Sequence, residues 1–180
     1  MNDMRADVDE LIRRFGLLPH PEGGFYSETY RAAMRVQRVS PGLPLSRDGA
    51  PDADRTRAAS TAIYYLLCDG AYSTWHRIRS DEVWHFYAGA PLEVLSIDDA
   101  GALSTVRLGN PLEHVDAVFQ AVVPAGRWFA ARCCDPSTYA FVGCTVAPGF
   151  EFSEFEIGET AALAARYPRH RAVIEQLGKA

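Results

Sequence analysis

The residues best suited to chemistry are His76 and Glu82, which stand close together in the stretch GAYSTWHRIRSDEVWHFYAG. An imidazole beside a carboxylate can serve as a general acid–base pair. Aromatic segments at 73–78 and 82–88 predict two strands around the polar corner Arg79-Ser80-Asp81. We expect both side chains to face the interior, within hydrogen-bonding reach of each other or of one shared ligand, with Glu82 raising the pKa of His76.

The neighbours that share a face with this pair follow from strand alternation, because successive residues point to opposite sides. The side chains expected beside the pair are Thr74, Ile78, Trp84 and Phe86. Two polar groups in an apolar, concave wall are typical of a small-molecule site. The alternative is that His76 and Glu82 form only a structural hydrogen-bonded pair, since paired carboxylates can stay buried.

His85 has the opposite parity from Trp84 and Phe86, its two neighbours in the strand. It is a candidate pocket residue that could act in catalysis or, if reoriented, serve as a third metal ligand. Strand parity favours the alternative, in which it serves the core or a dimer interface.

The elements that must position these residues are almost all β-strands. Apolar and β-branched runs separated by Gly, Pro, Asp and Ser predict strands at 24–31, 61–67, 73–78, 82–88, 92–97, 103–108, 119–124, 128–133, 139–146 and 150–157. Short strands joined by turns, without helices between them, are typical of an all-β sandwich or barrel.

Helices are predicted only near the two ends of the chain. One apolar face predicts a short helix at 5–15 that ends at Gly16; this face holds Val8, Leu11, Ile12 and Phe15. Short helices interrupted by Pro168 are expected within 160–178. The segment 40–58 is rich in proline, glycine and charge and predicts a long flexible loop, either a mobile insertion or a lid over a site.

The spacing in 70–89 resembles the first motif of the cupin superfamily, which runs glycine, five residues, His-x-His, three or four residues, glutamate, six residues, glycine. Gly70, His76, Glu82 and Gly89 match it, and Ile78 replaces the second histidine. The second motif, Pro-x-Gly followed two residues later by histidine, is similar to VVPAGRWFA, where Phe129 takes the histidine position. Phe129 therefore joins the predicted pocket wall.

Further segments, PEGGFYSETYR, STAIYYLL and VAPGFEFSEFEI among them, resemble the cupin-5 or DUF985 family from about Leu11 to Tyr167. The resemblance implies a single cupin domain over 1–180, with a jelly-roll β-barrel at 60–157 and the helices packed outside. It also implies a homodimer, the common state in this superfamily, and an exposed edge at 24–31 could form its interface.

Metal binding is not predicted, although the resemblance raises the question. Ile78 and Phe129 replace two of the four ligands of the cupin motifs, and a catalytic metal normally uses three protein ligands. We therefore predict no cofactor, with a divalent metal held by His76 and Glu82 as the weaker alternative.

The composition and net charge exclude some classes of binding partner. The 180 residues carry a formal net charge of −5, which argues against nucleic acid and anionic membranes as partners. No apolar run is long enough to span a bilayer, and the acidic, polar N-terminus does not resemble a secretory signal. The four cysteines contain no CxxC pair, which favours a reduced, cytoplasmic protein without a zinc or redox cluster.

The sequence supports one predicted function and leaves two alternatives open. We predict a small-molecule-binding cupin, acting as a metal-independent isomerase or epimerase on a sugar-like metabolite. Cupin epimerases use a histidine base and a tyrosine acid, and the sequence places no tyrosine opposite His76. The alternatives are a ligand-binding or storage-like cupin without turnover and, against the replacements at Ile78 and Phe129, a metal-dependent oxygenase.

Overall fold

Two antiparallel sheets form most of the protein in a computed structural model that describes residues 2–37 and 56–179. The helices and strands are α1 (Asn2–Phe15), β1 (Leu18–Pro19), β2 (Phe25–Arg31), β3 (Arg35–Gln37), β4 (Thr56–Ala58), β5 (Thr61–Leu67), β6 (Tyr72–Arg77), β7 (Asp81–Gly89), β8 (Leu92–Ile97), β9 (Leu103–Leu108), β10 (Gln120–Val123), β11 (Trp128–Cys133), β12 (Ala140–Ala147), β13 (Glu156–Ile157), α2 (Thr160–Arg166) and α3 (Arg171–Gln176). Short 3-10 turns occupy Phe152–Glu154 and Pro168–His170.

The strand order defines a jelly-roll-like sandwich. One sheet runs β1-β2-β5-β12-β7-β10, the other runs β13-β6-β11-β8-β9, and β3 pairs with β4 apart from them. The main core lies between the sheets, with large side chains such as Trp84 from one and Phe129 from the other. In the described part of the chain the two sheets do not close into one hydrogen-bonded barrel. The all-β jelly-roll architecture predicted from the sequence is confirmed, although the two sheets form an open sandwich instead of the predicted closed barrel.

Alternation along β12 shows how one strand serves two layers. Val142, Cys144 and Val146 face the core between the sheets, whereas Phe141 packs outward beneath α1. The strand lies between β5 and β7 with antiparallel register on both sides. Because every second residue is apolar and inward, the strand stays in one register.

The helices cover the outer faces of the sheets. α1 packs Val8 against Leu66 and Phe141 of the six-stranded sheet. The two C-terminal helices bury Leu163 and Ile174 against the outer face of the other sheet in a cluster that also contains Trp75 and Trp128. The Glu159 side chain accepts hydrogen bonds from the first backbone N–H groups of α2 and so caps it.

Three predicted segments differ from the structure. Residues 150–157 do not form one strand: the 3-10 turn precedes the two residues of β13, because the phenylalanines there pack together in a tertiary cluster. The predicted edge strand 24–31 is partly covered, since β1 pairs with its first residues. Of the predicted loop 40–58, residues 56–58 form β4, and the remainder lies outside the described residues.

Candidate functional site

A cavity of about 130 Å³ opens between the two sheets. Its lining combines ionisable, aromatic and aliphatic side chains: His20, Glu22, Tyr26, Glu28, Arg31, Thr61, Ile63, His76, Ile78, Glu82, Cys144, Val146, Phe150, Glu151, Phe152 and Phe155. The inner polar residues are almost fully enclosed, with His76 2% exposed, Glu82 8% and Glu22 9%. The exposed fractions of Glu28, Arg31 and Phe152 place the mouth at the opposite end.

His76 and Glu82 reach the cavity from opposite sheets. β6 carries His76 and pairs it with Phe129 of β11, and the two rings lie 4.0 Å apart between centroids. β7 carries Glu82 and pairs it with Val146 of β12. The short connection between β6 and β7 crosses from one sheet to the other, which is why residues close in sequence face each other across the cavity.

The carboxylate partner of His76 is Glu22 rather than Glu82. His76 Nδ1 lies 2.7 Å from the carbonyl oxygen of Thr74, and a carbonyl only accepts, so Nδ1 carries the proton. His76 Nε2 lies 3.1 Å from Glu22 Oε2. His76 and Glu82 line one cavity, as expected of two groups that share a ligand, but the carboxylate that contacts His76 directly is Glu22, which strand parity could not reveal.

Glu22 reaches His76 from the turn between β1 and β2. The backbone N–H of Thr74 donates to the Glu22 carbonyl at 2.9 Å, which fixes the turn against β6. Gly23 adopts φ +116, and a Cβ there would collide with the carbonyl oxygen of Tyr72. The Tyr65 hydroxyl donates to the Gly23 carbonyl at 2.8 Å. Only glycine allows this approach, so the sequence Glu-Gly-Gly positions the carboxylate.

One proton serves the His76–Glu22 pair. Burial lowers the pKa of His76 to about 4, against a smaller opposing effect of the Thr74 carbonyl, so the predicted rise caused by Glu82 is wrong. Burial also raises the pKa of Glu22, while His20 and the nearby hydroxyls of Ser73 and Tyr65 oppose the rise. Since Nδ1 of His76 is already protonated, the 3.1 Å contact needs a proton on Nε2 or on the Glu22 carboxyl.

His20 lies on the other side of Glu22. Its Nδ1 accepts a hydrogen bond from the Glu22 backbone N–H at 3.3 Å and lies 3.7 Å from Glu22 Oε2. Burial lowers the pKa of His20, with Glu22 opposing. A nitrogen that accepts a hydrogen bond carries no proton, so this ring is the neutral tautomer with its proton on Nε2.

Glu82 supplies the second carboxyl of the cavity. Burial, followed by the charge of Glu22, raises the pKa of Glu82 to about 8, and the nearby Cys144 thiol opposes the rise. At neutral pH this group is therefore mostly protonated and able to donate a hydrogen bond or a proton. A pKa near the working pH is what general acid catalysis favours.

An aromatic wall and a charged mouth complete the cavity. Phe150, Phe152 and Phe155 pack edge to face, with centroids 5.0 to 6.2 Å apart. Arg31 crosses the mouth and bonds to Glu28 and Glu151. These contacts tie the segment that follows β12 to β2.

The residues predicted for the pocket fall into three groups. Ile78 lines the cavity with His76 and Glu82. Trp84 and Phe129 belong to the core cluster that contains Ile78, and Phe86 packs against it, but none of the three lines the cavity. Thr74 donates its hydroxyl to the Leu177 carbonyl at 2.8 Å, so its side chain serves the C-terminal helices.

His85 is not part of the cavity. Its Nε2 lies 3.1 Å from the Thr145 hydroxyl, and its Nδ1 lies 3.0 Å from the Gln120 side-chain amide. These partners belong to β12 and β10, on the outer face of the six-stranded sheet. The assignment of His85 to the pocket is therefore corrected, as its parity had indicated.

Sequence reasoning missed the groups contributed by the turn before β2 and by the segment after β12. His20 and Glu22 stand in HPEGG, which predicts a turn, and Arg31 stands in a segment considered only as an edge. The one available signal was an ionisable pair directly before two glycines. Nothing in the sequence linked that pair to His76.

The donor set of the cavity does not fit a transition metal. Ile78 and Phe129 offer no ligand atom, and His76 uses Nδ1 for Thr74 and Nε2 for Glu22. Among residues 2–37 and 56–179, no group of three or more His, Cys, Asp or Glu side chains is arranged to hold an ion.

A jelly roll with ionisable side chains enclosed between its sheets is the architecture of the cupins. The family Cupin_5, described as "Cupin superfamily (DUF985)", matches residues 9–158. The chain belongs to this family, and the membership predicted from its motifs is confirmed.

Relatives with similar length support the same assignment. Protein SO0799 from Shewanella oneidensis is 34% identical, with a TM-score of 0.79 over 95% of this chain and 96% of that one. A hypothetical protein from Leishmania major is 33% identical, with a TM-score of 0.79 over 96% and 98%. The uncharacterized yeast protein YML079W (Saccharomyces cerevisiae) is 27% identical over 86% of this chain and 76% of its own length.

Similarity to an enzyme of known name extends to the fold alone. Oxalate decarboxylase from Bacillus subtilis is 15% identical, with a TM-score of 0.51 over 88% of this chain and 36% of that protein. Within the described residues, the helices are too short or too polar to cross a membrane.

Proposed function

We propose that the cavity binds a small sugar-like molecule and moves a proton beside its carbonyl group, without a metal, as an isomerase or epimerase does. The observation that carries this proposal is the arrangement of His76, paired with Glu22, opposite a Glu82 whose pKa is about 8. Two groups able to exchange protons therefore face one small enclosed space.

The reaction assigns one role to each side of the cavity. The His76–Glu22 pair takes a proton from the carbon next to the carbonyl, and the electron pair of that C–H bond forms the C=C of an enediol. Glu82 gives its proton to the carbonyl oxygen. In isomerisation the pair gives its proton to the former carbonyl carbon while Glu82 takes the proton of the neighbouring hydroxyl, which becomes the new carbonyl. In epimerisation Glu82 takes back the proton of the former carbonyl oxygen, and the pair returns its proton to the opposite face of the same carbon once the enediol has turned in the cavity. The pair gains the charge that Glu82 loses, so the net charge of the cavity stays constant.

Enclosure supports this chemistry. The cavity is smaller than the 300–1,000 Å³ of typical ligand pockets, so it suits a compact molecule or the reacting end of a larger one. Hydrogen bonds and charges act more strongly where water is excluded. Tyr26 also lines the cavity and offers a hydroxyl for orientation.

A binding module without turnover is the second candidate, favoured by one observation. Burial lowers the pKa of His76 to about 4, and so weak a base is poorly matched to proton abstraction at neutral pH. In this case His76 and Glu82 would hold a ligand by hydrogen bonds alone.

Solvent exchange separates the two candidates. The protein is incubated in D₂O with a panel of aldoses and ketoses, and proton NMR follows deuterium entering the carbon next to the carbonyl. We expect exchange with the native protein and a loss of about 100-fold or more with Glu82→Gln, the range of general acid catalysis. Glu156→Gln, on the outer surface beside Arg77, is the matched control. Binding of a panel member without any exchange would refute the enzyme and leave the binding module.

A further inference from the structure

The cationic side chain at the mouth of the cavity, Arg31, already pairs with two carboxylates of the protein. Arg31 is the one arginine or lysine in the lining formed by the described residues. Its Nε and Nη2 donate to the two carboxylate oxygens of Glu28 at 3.0 and 2.7 Å, and its Nη1 donates to Glu151 at 2.9 Å. Nη2 also donates to the Phe150 carbonyl at 3.2 Å. Little of its donor capacity remains for a ligand.

The interior adds no positive charge to this mouth. His76 and Glu22 share one proton, so their sum does not exceed zero. His20 is neutral, because its Nδ1 accepts the Glu22 N–H. Glu82 is neutral or negative. Arg31 faces two carboxylates, those of Glu28 and Glu151, so the lining sums to a negative charge with the inner groups in these protonation states.

An anionic ligand would therefore meet carboxylates, and the lining formed by the described residues offers no arginine or lysine that lacks carboxylate partners. Like charges repel, and water screens this repulsion less as a ligand moves from the exposed mouth toward the enclosed inner end. A recognition site for phosphate or carboxylate instead offers an unoccupied arginine fork or several backbone N–H groups.

We propose that this cavity takes uncharged hydroxylated molecules and rejects their phosphorylated or carboxylated counterparts, and that Glu28 and Glu151 enforce this choice by occupying Arg31. The inference rests on the proposed function, since it names the substrate class of the same site. Hydroxyl groups suit the inner end, where Glu22 accepts and Glu82 donates hydrogen bonds. The apolar faces of a polyol suit the wall formed by Phe150 and Phe155.

Matched ligand pairs test the proposal by binding alone. The probes are glycerol, D-ribose and D-glucose, each beside its phosphate monoester, with choline as a cation. Binding is read from the ring-proton NMR signals of His76 up to concentrations of about 100 mM, the regime of weak small-ligand binding. We expect at least one uncharged probe to bind about 100-fold more tightly than its phosphate ester.

Each other outcome overturns the proposal. A phosphate ester that binds as tightly as its parent would show that the cavity accepts anions. Choline binding more tightly than every uncharged probe would make the cavity a cation site. If no uncharged probe perturbs His76, the cavity does not take hydroxylated molecules of this kind.

A paired variant tests the role of the two mouth carboxylates. Glu28→Gln/Glu151→Gln frees Arg31, so we expect the ratio of uncharged to phosphorylated affinity to fall about tenfold or more. Glu156→Gln removes a carboxylate from the outer surface and should leave the ratio unchanged. An unchanged ratio in the paired variant would remove Glu28 and Glu151 from the explanation.

The binding test of the ligand class and the exchange test of the proposed enzyme can give opposite results. Selective binding without deuterium exchange would keep the ligand class and remove the enzyme. Exchange on a phosphorylated sugar would keep the enzyme and remove the ligand class.

Discussion

Replacing Glu82 by glutamine should make the protein more stable at alkaline pH than at acidic pH, relative to the native chain. Burial raises the pKa of Glu82 from an ordinary 4.5 to about 8. Between these values the folded protein holds a proton that the unfolded chain releases, so rising pH destabilises the fold. The stability linked to this proton is complete below pH 4.5 and is lost as the pH rises through about 8.

The magnitude follows from the size of the shift. Each pH unit between the two pKa values changes the free energy of unfolding by about 1.4 kcal/mol, so the interval from about pH 5 to about pH 8 is worth roughly 4 kcal/mol. Glutamine does not titrate and has nearly the same shape. The lowered pKa of His76, about 4, gives the opposite slope below its ordinary 6.5, but both proteins share it.

Urea unfolding at four pH values from about 5 to 8 measures this effect. We expect the free energy of unfolding of Glu82→Gln minus that of the native protein to rise by roughly 4 kcal/mol across the range. The control is Glu175→Gln on α3, whose side chain is 54% exposed; its difference should stay flat. A flat difference for Glu82→Gln as well would mean that Glu82 is ionised in the folded protein and is not the acid of the cavity.

Three further variants test the turn that positions Glu22, the missing metal ligands and the predicted homodimer. Gly23→Ala forces a Cβ onto the Tyr72 carbonyl at positive φ, so thermal unfolding should show a loss of roughly 2 kcal/mol or more, and a change within 0.5 kcal/mol would contradict the turn geometry. Ile78→His/Phe129→His adds two ligands to the carboxyl of Glu82, so about one equivalent of divalent metal should survive dialysis, whereas equal metal in variant and native protein would contradict the argument from the donor set. Tyr30→Glu places a charge at the end of β2 that β1 does not cover, where Tyr30 is 55% exposed, so light scattering should show a smaller dimer fraction. A native protein that is monomeric at micromolar concentration would refute the predicted homodimer.

Sequence patterns predicted most of the strands, because an apolar run between turn residues favours a strand through short-range interactions alone. Strands 61–67, 92–97, 103–108 and 128–133 have the predicted bounds, since each is a short apolar run between turn residues. The helix predicted at 5–15 extends to Asn2–Phe15, a difference confined to its first turn. The prediction of one strand at 150–157 was wrong, because the aromatic residues there pack around the cavity instead of along a sheet.

The candidate site could be predicted only in part. Parity placed His76 and Glu82 on inner faces, and the motif spacing marked both. The partner of His76 is Glu22, which lies far away in sequence and reaches the cavity because Gly23 lets a turn approach β6 closely. Such a contact depends on tertiary packing, and neither residue type nor spacing encodes it.

The most direct test of this account is an NMR titration of the His76 ring in ¹⁵N-histidine protein, native and with Glu22→Gln or Glu82→Gln. We predict a ring with its proton on Nδ1 that becomes doubly protonated only near pH 4, with its Nε2 signal altered strongly by Glu22→Gln and weakly by Glu82→Gln. A His76 that titrates near its ordinary 6.5 and responds to Glu82→Gln but not to Glu22→Gln would contradict the account, since Glu82 would then be its partner.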